Sequence, residues 1–189
     1  MARRIIPDPA LNSPSGFKLR VAGSKDATFI GDLATAVFGE FGDYGIFLPT
    51  YLQHPSVITT IYEEHTVPLG YIMVALVLSR GAAVVQDGIP AVSGNPPSSE
   101  IDAEVLAIAV RPDRQAQGIG KRLLLHALDF AQAWHETSGV RSVQLNVAHT
   151  NHRALAFFTH LGFNVLDSND GTYPLGQRSI RMARLIAKG

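Results

Sequence analysis

Glu104-Val-Leu-Ala-Ile-Ala-Val110-Arg-Pro112-Asp-Arg-Gln115-Ala-Gln-Gly118-Ile-Gly120-Lys-Arg-Leu-Leu124 is the stretch that decides the fold. It opens as an apolar strand over Glu104–Val110, in which simple alternation puts Glu104, Leu106, Ile108 and Val110 on one face. Pro112 ends the ladder, and a glycine-containing turn leads into a helix over Gly118–Glu136. Ile119, Leu123, Ala127, Phe130 and Trp134 form its apolar stripe, and Gly139 lies just past its end. Amides at such a helix start have no intrahelical acceptor, and the helix dipole adds partial positive charge there. Glycines let a ligand approach the backbone closely. The segment therefore predicts an anion, a pyrophosphate before others, resting on the amides of Ala116, Gln117, Gly118, Ile119, Gly120 and Lys121.

Upstream, residues 1–16 carry Pro7, Pro9, Pro14 and Gly16 and read as a tail before a single domain over 17–189. Phe17–Val21 alternates as a strand, and Ser24 stands where a helix N-cap belongs, before a helix over Lys25–Phe38. Gly39–Pro49 breaks that helix, and a short helix is expected over Pro49–Gln53. Val57–Glu63 and Gly70–Ser79 read as a hairpin joined by Glu64-His-Thr-Val-Pro-Leu. Arg80–Ser99, rich in glycine and proline, reads as a loop with a strand fragment at Ala82–Val85. Downstream come a strand over Ser142–Val147, a helix over Asn151–Leu161 closed by Gly162, and strands over Phe163–Leu166 and Ser179–Ile186. The order β-α-α-β-β-β-α-β-α-β-β predicts a three-layer α/β domain, a mixed sheet of about seven strands with helices on both faces.

Composition narrows the function. Of 189 residues, 46% are hydrophobic and 17% charged, enough for a packed core. Lys+Arg and Asp+Glu balance at 16 each, so no global field draws the chain to nucleic acid or an anionic membrane. The absence of cysteine removes disulfides, thiolate metal sites and a cysteine nucleophile. Met1–Pro7 lacks the apolar run of a signal peptide, and Tyr71–Leu78 is too short to cross a bilayer, so a cytoplasmic location is expected. Of His149, His152 and His160, the first two straddle a strand-to-helix loop, no nearby carboxylate has matching spacing, and no metal is expected.

The glycine turn fails two phosphate-binding patterns. Gly120-Lys121 is followed by Arg122, not Ser or Thr, and residues 118–123 lack the third glycine of a dinucleotide fingerprint. What fits is Val110-x-Pro112-x-x-Gln115-x-x-Gly118-x-Gly120-x-x-Leu123-Leu124, joined downstream by Asn151-x-x-Ala154-x-x-Phe157 and Gly162-Phe163. With these two motifs in order, the sequence resembles the GNAT superfamily of acyl-CoA-dependent N-acetyltransferases over about residues 17–187.

The resemblance implies acetyl-CoA as co-substrate and direct transfer to a primary amine of a small molecule, an amino acid or a peptide. The backbone of Ile108, Ala109 and Val110 would pair with the pantetheine arm, beside a splay between the strands at Val110 and Val147. Gln115 and the amides of Ala116–Lys121 would hold the pyrophosphate, and Asn151 and Phe158 would flank the arm. Arg111, Arg114, Lys121, Arg122 and Arg153 are candidates for the ribose phosphate, or solvated surface charges. In the family chemistry a neutral amine attacks the thioester carbonyl, an oxyanion forms and the CoA thiolate leaves. Glu104 matches the glutamate that histone-type members place six residues before the Val of Val-x-Pro, and is the expected general base; the alternative is a solvated carboxylate at the sheet rim. Ribosomal-protein acetyltransferases put a glutamate on the next strand, where Asn146 stands here.

The departure is Phe158, which occupies the place of the family's usual general-acid tyrosine. Tyr173, Tyr71 or water could supply the proton, or the thiolate could leave unaided, since a thiol has a pKa of about 8.5. A catalytically weak acyl-CoA-binding sensor is the competing reading. Phe41, Tyr44, Phe47 and Tyr51 are candidates for an acceptor pocket, a subunit interface or plain core. A homodimer is expected only by analogy with relatives.

Overall fold

Strand alternation along this chain resolves into one seven-stranded sheet, as a computed structural model describing residues 16–79, 85–86, 89–90 and 100–186. The elements run β1 (Phe17–Val21), α1 (Ala27–Phe38), α2 (Tyr44–Phe47), β2 (Val57–Glu64), β3 (Val67–Leu78), β4 (Val85–Gln86) and β5 (Ile89–Pro90). They continue with β6 (Ile101–Val110), α3 (Ile119–Ser138), β7 (Val140–Ala148), α4 (His152–His160), β8 (Asn164–Asp167) and β9 (Ser179–Leu185). The large sheet has the order β1-β2-β3-β6-β7-β9-β8, and β4 and β5 form a separate short ribbon. Every neighbouring pair is antiparallel except β6 and β7. The three-layer mixed sheet of the sequence reading is therefore the observed architecture, and its helices cover both faces. The expected tail lies outside the described residues except for Gly16, as does the fragment at 82–85 except for Val85.

Each face has its own core. Leu123, Leu124, Ala127 and Ala131 of α3 pack with Phe158 and Phe163 onto Ile72, Val74, Ala103, Val105, Val143, Leu145 and Met182. On the other face Ile30, Leu33 and Ala34 of α1 meet Ile61, Tyr71, Met73, Ala107 and Ala109. The small Ala107 and Ala109 let α1 lie close to the central strand. Gly31 of α1 and Gly45 of α2 bring their backbones together: a Cβ built on either would stand 2.9 or 2.8 Å from the carbonyl oxygen of the other. A half-buried ion-pair cluster pins the start of α1 to the sheet edge. Arg20 donates to Asp26 at 2.8 Å through both terminal nitrogens and to Glu63 at 2.6 Å.

Four local expectations change. The hairpin between β2 and β3 turns on His65 and Thr66 alone, both at positive φ, against the six-residue connection that the sequence predicts; this is the backbone of a tight two-residue turn without its usual glycine. The helix after Ser24 begins as a 3-10 turn capped from Gly23, whose N–H donates to the Asp26 carboxylate at 2.8 Å. A helical turn, α2, occupies part of the Gly39–Pro49 segment that the sequence reads as a break.

The fourth change matters most for the site. The register between β3 and β6 slips between Met73↔Ala107 and Val74↔Val105, leaving Leu106 as an extra residue. A one-residue slip swaps faces. Glu104 and Leu106 therefore lie on the α1 face with Ala107 and Ala109, whereas Ile108 and Val110 join the α3 face.

Candidate active site

The parallel pair β6–β7 is in register only from Ile101↔Val140 to Val105↔Leu145. Beyond that point the strands part, at the end where Val110 and Val147 lie, as the splay read from the motif requires. The gap opens a cavity of about 700 Å³ that runs between the two faces of the sheet. Leu106, Ala107, Ile108 and Val110 line it from β6, and Leu145, Asn146, Val147 and Ala148 from β7.

One end of the cavity is the turn into α3. Gln115 reaches back to donate to the Val110 carbonyl at 3.1 Å, and Arg153 of α4 donates to the Gln115 side-chain oxygen at 2.8 Å. Gln115 thus braces the turn between β6 and α4. Ala116 sits at φ 60° and Gly118 at φ 81°, and both line the cavity. A Cβ built on Gly118 would meet nothing within 4 Å, so the turn is an open cradle. The first helical bond of α3 is Arg122 N–H to the Gly118 carbonyl at 3.0 Å, and no side chain caps the helix. The amides of Ile119, Gly120 and Lys121 therefore precede the helix ladder.

The structure sorts the candidate cations. Arg111 pairs with Asp113 at 3.1 Å, and Arg122 lies over the Phe17 ring at 4.6 Å; neither lines the cavity. Lys121, Arg153 and Arg114 do, the last at 3.7 Å from Glu64.

Of the expected ligand-facing residues, Ile108, Val110, Gln115, Ala116, Gly118, Ile119, Gly120, Lys121, Asn151 and Phe158 line the cavity. Ala109 and Gln117 are not among the lining residues, and the Ala109 methyl is buried against α1. Asn151 has a second task as N-cap of α4, its side-chain oxygen accepting the Ala154 N–H at 3.0 Å. Phe158 is core as well as lining, edge-on to Phe157 and Phe163. Glu104 is half-buried between Ala75 of β3 and Gln144 of β7, and is not a lining residue.

The other end is aromatic. Phe38, Phe41 and Tyr44 line it from the α1–α2 region and Tyr173 from the β8–β9 connection. Tyr173 packs on Phe41 and Tyr44 with ring centres 5.5 and 6.4 Å apart. Gln177 donates to the Glu40 carbonyl at 2.7 Å and ties the two segments together. The aromatic stretch of the sequence thus divides: Phe41 and Tyr44 face the cavity, and Phe47 and Tyr51 are exposed. Burial pushes the Tyr44 and Tyr173 hydroxyls above the ordinary phenol range, so both are protonated at neutral pH. Tyr71 is fully buried on the α1 face away from the cavity.

A polar group the motif reading did not assemble sits beside Tyr173. Asn146 is exposed to the cavity, and its amide donates to Asp170 at 2.9 Å and to Ser179 at 2.8 Å. Asp170 comes from the β8–β9 connection, which has no periodic signal, so nothing in the sequence joins it to Asn146. Among the described residues no cluster of three metal-ligating side chains occurs.

Comparison with known proteins agrees with this geometry. The ribosomal protein bS18-alanine N-acetyltransferase of Salmonella typhimurium is 38% identical over 76 residues, 40% of this chain and 49% of that protein. The N-alpha-acetyltransferase RimI of Mycobacterium tuberculosis is 40% identical over 85 residues, 45% of this chain and 48% of that one. The chain spans about half the length of the curated relatives it matches. Two solved structures share the fold. The ribosomal-protein alanine N-acetyltransferase from Escherichia coli superposes with a TM-score of 0.62 at 23% identity, over 92% of this chain and 96% of that chain. Arabidopsis thaliana NAA60 in complex with a bisubstrate analogue gives 0.71 at 13% identity, over 92% and 99%. Residues 29–163, most of the chain and all of the cavity walls up to Phe163, match the sequence model of one family, and on that match the chain belongs to the acetyltransferase (GNAT) family.

Proposed function

We propose that this protein is an acetyl-CoA-dependent N-acetyltransferase that transfers an acetyl group to a primary amine by direct attack in a ternary complex. The α-amine of a polypeptide is the preferred acceptor. The observation that carries the proposal is the cavity through the sheet, with uncapped helix-start amides at one end and an aromatic lining at the other. The acceptor class follows the names of the curated relatives, which act on a ribosomal-protein alanine and on N-alpha groups.

The residues fit the co-substrate: an open glycine cradle, amides ahead of the helix ladder and lining cations suit a diphosphate. Bound acetyl-CoA supplies an activated acyl group. The amides of Ala116–Lys121 with Lys121 hold the diphosphate, and Arg114 and Arg153 serve the outer phosphate. The unpaired edge of β6 beyond Val105 offers its backbone to the arm, flanked by Phe158 and Asn151. Glu104, which the strand register puts on the same face as the lining residues Leu106 and Ala107, acts as base through water. Tyr173, protonated and lining the cavity, takes the donor role that Phe158 cannot fill. A homodimer is proposed by analogy with relatives; among the described residues no helix is long and apolar enough to cross a membrane.

Thermal unfolding with acetyl-CoA, CoA, ATP and NAD tests binding. A ligand at about a hundred times its Kd adds roughly 2.7 kcal/mol, or several degrees at about 2–4 °C per kcal/mol. Acetyl-CoA and CoA are expected to raise the midpoint, and ATP and NAD not to. Thiol release from acetyl-CoA with an alanine-initiated hexapeptide then tests transfer, with Glu104→Gln expected to lower kcat and leave CoA affinity unchanged. The second reading, a CoA-binding sensor, is favoured by Phe158; a midpoint rise without thiol release would select it.

A further inference from the structure

The amide of Asn146 has two protons, and both are committed: one to the Asp170 carboxylate at 2.9 Å and one to Ser179 Oγ at 2.8 Å. An amide with both protons used has only its carbonyl oxygen left to offer. Flipping the side chain would set that oxygen against the Asp170 carboxylate, acceptor facing acceptor. Asp170 is itself held in place: its side chain is 11% exposed, and the Arg181 guanidinium, 10% exposed, lies 3.9 Å from the same carboxylate oxygen. Asn146 lines the cavity beside Tyr173 and is exposed although it stands in the middle of the sheet.

We propose that Asn146 is the docking group for the acceptor nitrogen, its side-chain oxygen receiving an N–H of the amine, and that Asp170 is the positioning residue that fixes the amide in that sense. The proposal rests on the acetyltransferase reading. The chemistry suits the task. A neutral carbonyl oxygen accepts an N–H without holding the ammonium form as firmly as a carboxylate would, so the bound amine loses its proton more readily and attacks as the neutral species. The negative charge of Asp170 stays one amide behind, where it polarises Asn146 without forming an ion pair with the substrate. A tertiary amine, having no N–H when neutral, lacks the contact.

The test is binding to the CoA-saturated protein at pH 8.5, where a terminal amine is mostly neutral. An alanine-initiated hexapeptide and its Nα,Nα-dimethylated form, whose terminal nitrogen has no N–H when neutral, are titrated by calorimetry. The wild type is expected to prefer the primary amine, and Asn146→Ala to reduce that preference about tenfold, the loss of one hydrogen bond. Asp170→Asn releases the amide to flip and is expected to reduce it about threefold, with no further loss when added to Asn146→Ala. CoA affinity, measured on all variants, is expected to match the wild type, which a merely structural role for the pair would not preserve. Equal binding of both peptides by the wild type, full preference in Asn146→Ala, or an additive effect in the double variant overturns the proposal. If Asp170→Asn does not fold, Asn146→Ala alone decides. Absence of thiol release from acetyl-CoA with intact peptide discrimination would strike the transfer reading and leave this one standing.

Discussion

Asn151 carries two tasks on one side chain, and two substitutions separate them. Its oxygen caps α4 by accepting the Ala154 N–H, and its amide protons are left for the cavity it lines. Asn151→Ala removes both functions. Loss of the cap costs about 1 kcal/mol, which lowers the melting midpoint of the free protein by about 2–4 °C. Asn151→Asp keeps an acceptor at the cap and adds a negative charge at the helix start, worth about 0.3–1 kcal/mol, so the free protein melts at or slightly above the wild type. Yet the introduced carboxylate has no proton to donate to the ligand and repels a polyanion. A lost hydrogen bond of about 1.4 kcal/mol is a tenfold weaker Kd. At a concentration about a hundred times the wild-type Kd, the stabilisation by CoA then falls from about 2.7 to about 1.4 kcal/mol, and the ligand-induced rise is halved. Thermal unfolding of the three proteins with and without CoA reads all of this. A full wild-type rise in Asn151→Asp would show that the amide protons are not used, and that Asn151 is a cap and nothing more.

Other perturbations follow from the same geometry. Tyr173→Phe is expected to lower kcat about tenfold or more with unchanged CoA affinity, and a wild-type kcat would remove Tyr173 from the reaction. Asp26→Asn leaves Arg20 with Glu63 alone and is expected to destabilise by about 2–3 kcal/mol in urea melts, short of the roughly 3–5 kcal/mol for a fully broken buried pair. The hydrogen bonds from Arg20 hold the Asp26 carboxyl below its ordinary range. Its contribution is therefore present above about pH 4 and fades as pH falls through the depressed value, so the variant's deficit should shrink in acid. Tyr71 is the alkaline counterpart. Burial pushes its hydroxyl well above the ordinary phenol range, and the hydroxyl has no hydrogen-bond partner among the described residues. Stability tied to it is present below about pH 10 and is lost at about 1.4 kcal/mol per pH unit above. Tyr71→Phe should thus be near neutral at about pH 8 and more stable than the wild type at about pH 11, as urea melts at both values would show.

Much of this was legible in the sequence because each feature had a local cause. The Gln115–Gly120 turn announces itself through glycines ahead of an apolar helical stripe, and the structure makes it an open cradle. The succession of strands and helices along the chain follows from alternation and turn residues. What escaped was set by pairing between distant segments. The slip at Leu106 is invisible to period-2 counting, because a bulge belongs to the register between two strands and not to either one. It places Glu104 on the opposite face from Ile108 and Val110. Asp170 lies in a connection without periodicity and reaches Asn146 only because β9 returns beside β7; Tyr173, already a candidate donor by residue type, meets Tyr44 across the same connection. Ala109 and Gln117 are neighbours of motif positions, and the chain turns their side chains elsewhere.

The parting of β6 from β7 has a consequence for measurement. Held together only between Ile101 and Val105 on one strand and Val140 and Leu145 on the other, the sheet is two plates joined along one short seam, β1-β2-β3-β6 and β7-β9-β8. Beyond the seam the inner margins of both plates carry main-chain groups with no strand beside them, and the proposed co-substrate would meet backbone there. Such recognition is indifferent to side-chain identity, so these margins can drift in sequence while their work stays the same. Their occupancy is nevertheless readable amide by amide: hydrogen exchange over 106–110 and 146–148 reports a filled seam before any acceptor is known.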